Sequence, residues 1–367
     1  MIPDIQKPTL ILNPAIARRN IARMAAKARR SGVRFRPHFK THQSAAIGEW
    51  FRAEGVAAIT VSSVDMARYF ADHGWRDILI AFPVNWRQID TINRLAAEVR
   101  LGLLVESTET ATFLGERLTA PAEVWLKIDT GYGRTGLPWD DFARHQALAA
   151  ALAAADKLTL RGLLSHAGHS YQARSPDAVR AVYRQEVDRL RAARDRLAQA
   201  GFAGLALSPG DTPCCSVVED LSEVDEIRPG NFVFYDLMQI QTGACQHEDI
   251  AVAVACPVVA KHPARGTIVV YGGAVHLSKE RLPRDDGTPS YGDVALPTPG
   301  GWSDPVPGCY VAALSQEHGL IQAPDAFLEQ VQIGDVLMVL PVHSCLTANL
   351  LKRYLTPSGE IIPMADL

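Results

Sequence analysis

The sequence of 367 residues predicts an α/β protein, a (β/α)8 TIM-type barrel followed by a C-terminal all-β domain. Up to about residue 240, short apolar or β-branched runs alternate with helix-like stretches every ~20–30 residues, which is typical of a barrel. After that point the apolar runs are of the β type, and turns rich in Gly and Pro separate them. A doubly wound open sheet is the competing arrangement for the first part, because periodicity alone does not distinguish the two.

Eight runs are candidate barrel strands, at 33–39, 57–62, 77–82, 100–105, 122–129, 158–166, 204–208 and 224–229. Helix-like stretches separate most of them. Asn13 followed by Pro14 predicts the start of the first helix, since Asn is a good N-cap and Pro suits the first helical position. The segments 107–118 and 175–200 also open with a Ser N-cap and are predicted helices.

The domain boundaries follow from this pattern. The barrel is expected to span residues 14–240, and the β-domain to combine residues 1–13 with 241–367. The run TLIL at 9–12 has no barrel partner of its own, so we expect it to pair with the C-terminal sheet.

Composition excludes several classes of protein. Lys plus Arg number 37 and Asp plus Glu number 40, a net charge of −3, which argues against a nucleic-acid or membrane-surface partner. Apolar runs stay below the ~18 residues that cross a bilayer, and the first ten residues lack the apolar stretch of a signal peptide. The six cysteines are spread too widely for a secreted disulfide framework. We therefore expect a cytoplasmic protein.

The motif RPHFKTH (36–42) ends the first predicted strand and contains Lys40. Residues at the carboxyl ends of barrel strands face the active site, and a partly desolvated lysine there can form a Schiff base. The alternative is a surface lysine in a βα turn. His38 and His42 are four apart, but the expected change from strand to a helix opening at Thr41 spoils the geometry of a metal site.

Two further strand ends carry polar residues. KIDTGYGRTG (127–136) matches the glycine spacing of a dinucleotide-binding loop, but Pro138 and the early acidic residues after it argue against that fold. LLSHAGHSY (163–171) places His166 at a strand end and Tyr171 five residues later. Ordinary loop residues are the alternative there.

The last two predicted strands end in Gly-containing turns, SPGDTP (208–213) and RPGNFVFYD (228–236). Glycine lets the backbone approach phosphate oxygens closely, and Thr hydroxyl and turn N–H groups donate to them. The last two βα loops are the usual phosphate site of barrels, so these turns are candidates for a phosphate cradle. The alternative is that they are simply two turns.

A candidate metal site follows the β-run near residue 340, in PVHSCLTANL (341–350). His343 and Cys345 are two apart, so on an extended strand both would face one side. Imidazole and thiolate are good ligands for Zn²⁺, and two protein ligands leave positions open for water and substrate. An inert buried cysteine is the alternative.

Two long stretches, PTLILNPAIARRNIARMAAKARRSGVRFRPHFKTHQS (8–44) and ITVSSVDMARYFADHGWRDILIAFPV (59–84), resemble fold-type III pyridoxal phosphate (PLP) enzymes. The nearest subgroup contains the D-serine dehydratase-like and D-threonine aldolase-like proteins. The resemblance continues nearly to the C-terminus and implies an alanine racemase-like fold. One departure is Gln43, where the family more often has lysine.

The resemblance also implies roles for individual residues. Lys40 would carry PLP, Arg134 would contact the phenolate oxygen of its ring, and Tyr171 would lie near its pyridine nitrogen, with His166 close by. The residues implied to bind the phosphate are Thr212, Gly230, Asn231 and Tyr235. The metal ligands would be His343 and Cys345; the aldolases typically have His and Asp at these positions. QEHG (316–319) also resembles a family motif, but no role follows for His318.

Together these features predict a PLP- and divalent-metal-dependent lyase that dehydrates D-serine or another D-3-hydroxy amino acid to a 2-oxo acid and ammonia. Lys40 would remove the Cα proton, and the metal, Zn²⁺ with Mn²⁺ or Mg²⁺ as alternatives, would bind the β-hydroxyl. A D-threonine aldolase uses nearly the same residues and is the main alternative. A racemase would not need the metal pair, and a non-catalytic PLP carrier would not need the β-domain. By the same resemblance we expect a homodimer whose active site lies between the barrel of one subunit and the β-domain of the other.

Overall fold

Residues 4–367 are described in a computed structural model of the chain, in which two units can be distinguished. One unit contains residues 22–230. The other contains the residues up to 21 together with 231–366.

The first part of the chain alternates strands and helices. Its strands are β1 (Thr9–Leu12), β2 (Arg34–Phe35), β3 (Ile59–Val61), β4 (Asp77–Pro83), β5 (Arg100–Val105), β6 (Ala122–Asp129), β7 (Leu137–Pro138), β8 (Leu158–Leu164), β9 (Ala206–Ser208) and β10 (Glu226–Ile227). Its helices are α1 (Pro14–Arg30), α2 (Ala45–Ala53), α3 (Val64–Asp72), α4 (Ile89–Glu98), α5 (Thr108–Arg117), α6 (Phe142–Ala153), α7 (Pro176–Gln199) and α8 (Thr212–Val217). Each of the eight runs predicted as barrel strands overlaps an observed strand.

The predicted helix starts are confirmed by their capping bonds. Asn13 Oδ1 accepts from the backbone N–H of Ala15 at 3.1 Å, and the Ser107 and Ser175 side chains cap α5 and α7. Across residues 4–367, no helix combines the length and apolarity that a membrane crossing requires.

The helix expected to open at Thr41 begins later, at Ala45, with Ser44 as its N-cap. Residues 39–42 form a turn instead, and Gln43 adopts a left-handed backbone with φ 47°. The physical reason is burial: the His42 ring is fully buried and lies 4.4 Å from the Phe39 ring, centroid to centroid.

The unit of residues 22–230 contains a parallel sheet in the order β3-β4-β5-β6-β8-β9, with β7 beside β6. Strands β2 and β10 form a separate parallel pair. A single bridge joins His38 to Thr60, and Asp225 N donates to Leu207 O at 3.0 Å. Strand order follows chain order without the reversal that a doubly wound sheet requires, so that alternative is wrong. An apolar cluster fills one region of the sheet and contains Leu79, Leu104, Trp125 and Leu164.

Buried charges connect the small strand pair to the larger sheet. Arg36 is 2% exposed and donates to Glu226 on β10 and to Asp77 on β4, each at 2.6 Å. The Ser208 hydroxyl on β9 donates to the other oxygen of Glu226 at 2.9 Å. Because buried charges are tolerated only when paired, this network fixes how four strands lie relative to one another.

The second unit is mainly β. Its further strands are β11 (Val252–His262), β12 (Thr267–Tyr271), β13 (Leu282–Pro283), β14 (Pro289–Ser290), β15 (Gly292–Ala295), β16 (Pro297–Thr298), β17 (Gly301–Trp302), β18 (Tyr310–Leu314), β19 (His318–Gln322), β20 (Val336–Pro341), β21 (Arg353–Leu355) and β22 (Ile361–Pro363). Its short helices are α9 (Leu237–Thr242), α10 (Ala274–Leu277), α11 (Asp325–Gln330) and α12 (Ser344–Leu351).

Eight of these strands and β1 form one sheet in the order β12-β19-β18-β15-β20-β11-β1-β21-β22. Strand β11 also pairs with β12, so six strands close into an antiparallel barrel. Strand β1 pairs antiparallel with β11, Ile11 opposite Ala253, and parallel with β21. The predicted pairing of TLIL with the C-terminal sheet is therefore confirmed.

Gly162 tests the packing of the parallel sheet. A Cβ atom at this position would lie 2.1 Å from the Ala206 carbonyl oxygen and 2.8 Å from the Trp125 ring. We expect Gly162→Ala to lower the free energy of unfolding by about 1–3 kcal/mol, because backbone and a large buried ring must both shift. Denaturant unfolding measures this. Gly300→Ala, where the added atom meets nothing within 4 Å, is the control and should change stability little; equal stability of the two variants would contradict the packing described.

Candidate active site

Basic side chains collect at and just beyond the carboxyl ends of the parallel strands in the unit of residues 22–230. Lys40 is half-buried in the turn after β2, Lys127 lies near the end of β6, and Arg228 follows β10. The whole group consists of His38, Lys40, Lys127, Arg134, His166 and Arg228, which interact electrostatically with one another. Four of these residues come from different strand ends, so the parallel fold itself brings them together.

Burial and neighbouring charges disfavour the charged forms of four members of this group, His38, Lys127, His166 and Arg228. Burial, together with the charge of Arg228, lowers the pKa of Lys127 to about 7. Burial lowers the pKa of Arg228 to about 10, although Glu226 and Glu186 oppose the change. Burial and the charge of Lys40 hold the pKa of His166 well below 6.5. An anion bound here would relieve this repulsion, so the group fits a ligand with several negative charges.

The two histidines near Lys40 have defined hydrogen-bond roles. His166 Nδ1 lies 2.5 Å from the Gly210 carbonyl oxygen; a carbonyl only accepts, so Nδ1 carries the proton. Neutral His166 then presents Nε2 as an acceptor. His38 Nδ1 accepts from the Lys40 backbone N–H at 3.4 Å, which leaves its proton on Nε2.

The turn that carries Lys40 is held from several sides. Gln43 Nε2 donates to the Lys40 carbonyl at 3.1 Å. His42 stacks on Phe51, accepts from Ser44 N, and is so deeply buried that its pKa falls to about 3. His42 thus belongs to the apolar core, in agreement with the sequence argument against a metal site on His38 and His42.

The predicted phosphate turns leave no space for side chains at their glycines. A Cβ atom on Gly230 would lie 3.0 Å from His38 and 3.1 Å from the Thr41 hydroxyl. A Cβ atom on Gly210 would lie 2.8 Å from Arg228. Thr212 opens α8, and its backbone N–H donates to the Tyr171 hydroxyl at 3.4 Å. Backbone approaches this close, beside buried cations, suit the phosphate of PLP.

A buried acidic cluster lies beyond the basic group. Glu186, Asp211 and Cys214 present ligand atoms within 4.8 Å of one another. The Ser165 hydroxyl donates to Glu186 Oε1 at 2.5 Å, and the Ser170 hydroxyl donates to Asp211 Oδ1 at 2.8 Å. Among the described residues, the second oxygens of both carboxyl groups have no hydrogen-bond partner.

This cluster holds a proton more readily than a metal ion. Burial and the neighbouring Asp211 carboxylate raise the pKa of Glu186 to about 8, and burial also raises the pKa of Asp211. Burial raises the pKa of the Cys214 thiol well above 9. Metal ligands must be deprotonated, so two carboxyl groups that share one proton are the better account.

The predicted metal pair lies in the other unit, where β20 ends and α12 begins. His343 is the N-cap of α12 and Cys345 lies in its first turn. The expectation that both residues share one side of an extended strand is therefore wrong, because the chain turns helical at Ser344. The helical turn still brings the two side chains together, because His343 and Cys345 hydrogen bond to each other. Burial lowers the pKa of His343, but Cys345 and Asp236 outweigh it and raise the pKa to about 9. An imidazole and a sulfur in contact, beside a buried carboxylate, fit a divalent metal ion.

Asn231 and Tyr235 are also described in this second unit. Asn231 Nδ2 donates to Asp236 Oδ2 at 2.6 Å, to Ser344 Oγ at 3.0 Å and to Cys345 Sγ at 3.5 Å. Tyr235 has a left-handed backbone with φ 48°, a conformation that residues other than glycine rarely adopt. Its backbone N–H donates to the Asn231 carbonyl at 2.8 Å.

The structure thus brings Lys40, Arg134, His166, Tyr171, Thr212 and Gly230 into one unit and Asn231, Tyr235, His343 and Cys345 into the other. Sequence reasoning missed Lys127, Arg228 and Asp236. Lys127 was detectable, because it ends an apolar strand as Lys40 does. Glu186 lies in the long helix α7, where nothing in its neighbours marks it. His318 is exposed at the start of β19.

Two family models and several known proteins match this chain. Residues 13–237 match the family "Alanine racemase, N-terminal domain", and residues 251–356 match the family "Putative serine dehydratase domain". The D-threo-3-hydroxyaspartate dehydratase of Delftia sp. (strain HT23) is 31% identical over 95% of this chain and 93% of its own. The D-serine dehydratase of Dictyostelium discoideum is 29% identical over 96% of this chain and 93% of its own.

A solved structure is similar throughout. It is a cysteine-to-alanine variant of D-threo-3-hydroxyaspartate dehydratase in a metal-free form, with a TM-score of 0.91, 29% identity and 98% of both chains covered. Sequence and structure together define an alanine racemase-like protein. The chain belongs to the alanine racemase N-terminal domain family and carries the serine dehydratase domain as well. The resemblance to fold-type III enzymes is therefore confirmed.

The shared proton of Glu186 and Asp211 predicts how stability depends on pH. Because the pKa of Glu186 is raised in the folded state to about 8 from an ordinary 4.5, the folded protein binds the proton more tightly than the unfolded chain. Stability then falls as pH rises between these values. Glu186→Gln replaces the shared proton with an amide hydrogen, so its melting temperature should fall less between about pH 6 and pH 9 than that of the wild type.

The control for this measurement is Glu116→Gln, which alters an exposed carboxylate and should follow the wild-type profile. An unchanged pH profile in Glu186→Gln would show that the buried pair does not hold a proton.

Proposed function

We propose that this protein is a PLP- and divalent-metal-dependent lyase that dehydrates D-3-hydroxy amino acids to a 2-oxo acid and ammonia. The group of cationic side chains around Lys40 carries the proposal, because it needs an anionic ligand beside a reactive lysine. The similar D-threo-3-hydroxyaspartate and D-serine dehydratases support a substrate with a D configuration and a β-hydroxyl group. Both of those are dehydratases, which favours water elimination over carbon–carbon cleavage.

The cofactor assignment follows the sequence prediction. Lys40 would hold PLP, Arg134 would face the phenolate oxygen, and Tyr171 and His166 would lie near the ring. The phosphate would be bound by Thr212, Gly230, Asn231 and Tyr235. When bound, PLP withdraws electrons from the substrate Cα and so makes its proton acidic.

The chain's own residues handle the protons. Lys40 Nζ accepts the Cα proton when uncharged. Lys127, with a pKa of about 7, can take up a proton as negative charge enters the site. Neutral His166 holds its proton on Nδ1 against the Gly210 carbonyl, so its free ring nitrogen accepts rather than donates.

His343 and Cys345 would hold the metal, for which Zn²⁺ suits an imidazole and a thiolate better than Mn²⁺ or Mg²⁺. A bound divalent ion supplies Lewis acidity at the substrate β-hydroxyl, which makes hydroxide a better leaving group. Asp236 is fully buried next to His343 and favours its cationic or metal-bound form.

The closure of the parallel strands into a barrel and the domain bounds are part of the same proposal. The eight parallel strands would form one (β/α)8 barrel over residues 14–240, with the β-domain formed by 1–13 and 241–367. The Arg36 network, which joins β2 and β10 to β4 and β9, supports this closure. We also propose a cytoplasmic homodimer whose active site uses both subunits.

Product analysis tests the function most directly. The protein, supplied with PLP and Zn²⁺, is incubated with D-threo-3-hydroxyaspartate, D-serine or D-threonine. A 2-oxo acid with ammonia supports the proposal, whereas glycine with an aldehyde would identify an aldolase. Inversion at Cα alone would identify a racemase, and PLP binding without turnover would identify a carrier.

Substitution of Lys40 tests whether this lysine carries PLP. Lys40→Ala should fold normally but lose both the absorbance of lysine-bound PLP and turnover, because the amine proposed to form the bond is removed. Lys157→Ala, which removes a lysine bound to the Leu118 carbonyl instead, is the control and should keep both. Borohydride reduction and peptide mapping identify the modified lysine. A label on any other lysine would overturn the assignment.

Metal removal gives the second prediction. Chelation should abolish dehydration and leave PLP absorbance intact, while exchange of the Cα proton should continue, since that step needs only Lys40 and PLP. Added Zn²⁺ should restore dehydration. Cys345→Ala should behave like the chelated protein, and Cys309→Ala, which removes a buried thiol elsewhere in the same unit, should not. Undiminished dehydration by metal-free protein would refute the role of the metal.

A further inference from the structure

The proposed metal ligands, His343 and Cys345, lie beside a buried polar network centred on Asp236. Asp236 Oδ2 accepts from three donors: Ser344 N at 2.9 Å, Ser344 Oγ at 3.2 Å and Asn231 Nδ2 at 2.6 Å. The same oxygen lies 4.0 Å from His343 Nδ1. Asp236 is fully buried and also caps α9 through its other oxygen, which accepts from Gln239 N at 3.1 Å.

Asn231 links this carboxylate to the sulfur of Cys345. The short contact with Asp236 shows that the amide nitrogen, not the oxygen, faces the carboxylate, since two oxygens that only accept would repel each other. The same nitrogen lies 3.5 Å from Cys345 Sγ and 3.0 Å from Ser344 Oγ. The Asn231 side chain is therefore directed at the metal pair, in addition to the phosphate role proposed for this residue.

Within residues 4–367, the amide oxygen of Asn231 has no hydrogen-bond partner. Asn231 is 3% exposed, and among the described residues its Oδ1 atom is buried without a hydrogen-bond partner. A buried acceptor in this state costs free energy unless a bound donor satisfies it. Water bound to a metal ion is a donor of the right chemistry, because coordination makes its hydrogens more acidic.

We propose that Asn231 is a positioning residue for the metal ligands: its side chain, oriented by Asp236, donates to the Cys345 sulfur and so stabilises the thiolate that binds the metal. This inference rests on the proposed metal site at His343 and Cys345. An N–H···S bond lowers the energy of the sulfur lone pair, and Ser344, held by the same carboxylate, keeps Cys345 beside His343. Loss of an outer-shell partner of this kind typically weakens metal binding about 10- to 100-fold.

The test uses Co²⁺ as a spectroscopic probe in chelated, PLP-loaded protein. Wild type should bind Co²⁺ with the intense sulfur-to-cobalt charge-transfer band of a thiolate ligand. Asn231→Ala should bind Co²⁺ about 10- to 100-fold more weakly, with that band shifted to lower energy because the sulfur has lost a hydrogen bond. PLP absorbance is recorded in parallel, so that loss of the cofactor from this variant is distinguished from loss of metal affinity. The matched control is Thr347→Val. Thr347 lies on the same helix as Cys345, but its buried hydroxyl donates to the Leu277 carbonyl, so this variant should change neither the Co²⁺ affinity nor the position of the band.

The outcomes separate the inference from the function on which it rests. Failure of the wild type to bind Co²⁺ through a thiolate would overturn the metal site itself. If Asn231→Ala keeps the wild-type Co²⁺ affinity and band position, only the positioning role is overturned. Loss of PLP from that variant would in addition support a role of the side chain in binding the phosphate. Asn231→Leu, which fills a similar volume without a donor, repeats the measurement should the alanine variant not fold.

Discussion

Burial of cationic groups at the carboxyl ends of the parallel strands is the constraint on which the candidate active site depends. Lys127 and Arg228 are both nearly fully buried, and burial lowers the pKa of each; the charge of Arg228 lowers that of Lys127 further, and the charge of Arg36 lowers that of Arg228. Such an arrangement costs folding free energy that must be balanced elsewhere in the unit. Buried acids offset part of this cost, and an anionic ligand such as the proposed PLP phosphate would offset more of it.

Serine residues connect the buried acids to Arg228 of this group. Glu226 is shared between Arg36 and the Ser208 hydroxyl, and Arg228 Nε donates to that same hydroxyl at 2.8 Å. Glu186 lies further along, bonded to Ser165, whose carbonyl accepts from Arg228. Each carboxylate is thus fixed by a serine rather than by direct contact with Arg228. This spacing leaves the guanidinium with its charge incompletely neutralised, as an anion site requires.

Sequence reasoning was most effective where one local rule decides structure. Alternating runs located the strands, and Ser and Asn N-caps located helix starts, because capping depends only on neighbours in the chain. The predicted helix start at Thr41 was wrong, because the burial of His42 against Phe39 is a tertiary effect that overrides local preference. The rule that strand ends face the site identified Lys40, yet no local rule could identify Glu186, whose importance comes only from folding α7 against the strand ends.

The two candidate sites differ in what holds them, which bears on how the reaction is chosen. The cationic group depends on strand ends that the whole parallel sheet positions. The metal pair depends on one carboxylate, Asp236, and on an amide that donates to Cys345. Under the proposed function, changes at the first site would act on cofactor binding and Cα acidity, which dehydration and aldol cleavage share. Changes at the second site would act on the β-hydroxyl, where the two reactions diverge. The donor strength of the Cys345 sulfur, which a hydrogen bond from Asn231 would lower, is accordingly where the proposed lyase would tune one outcome against the other.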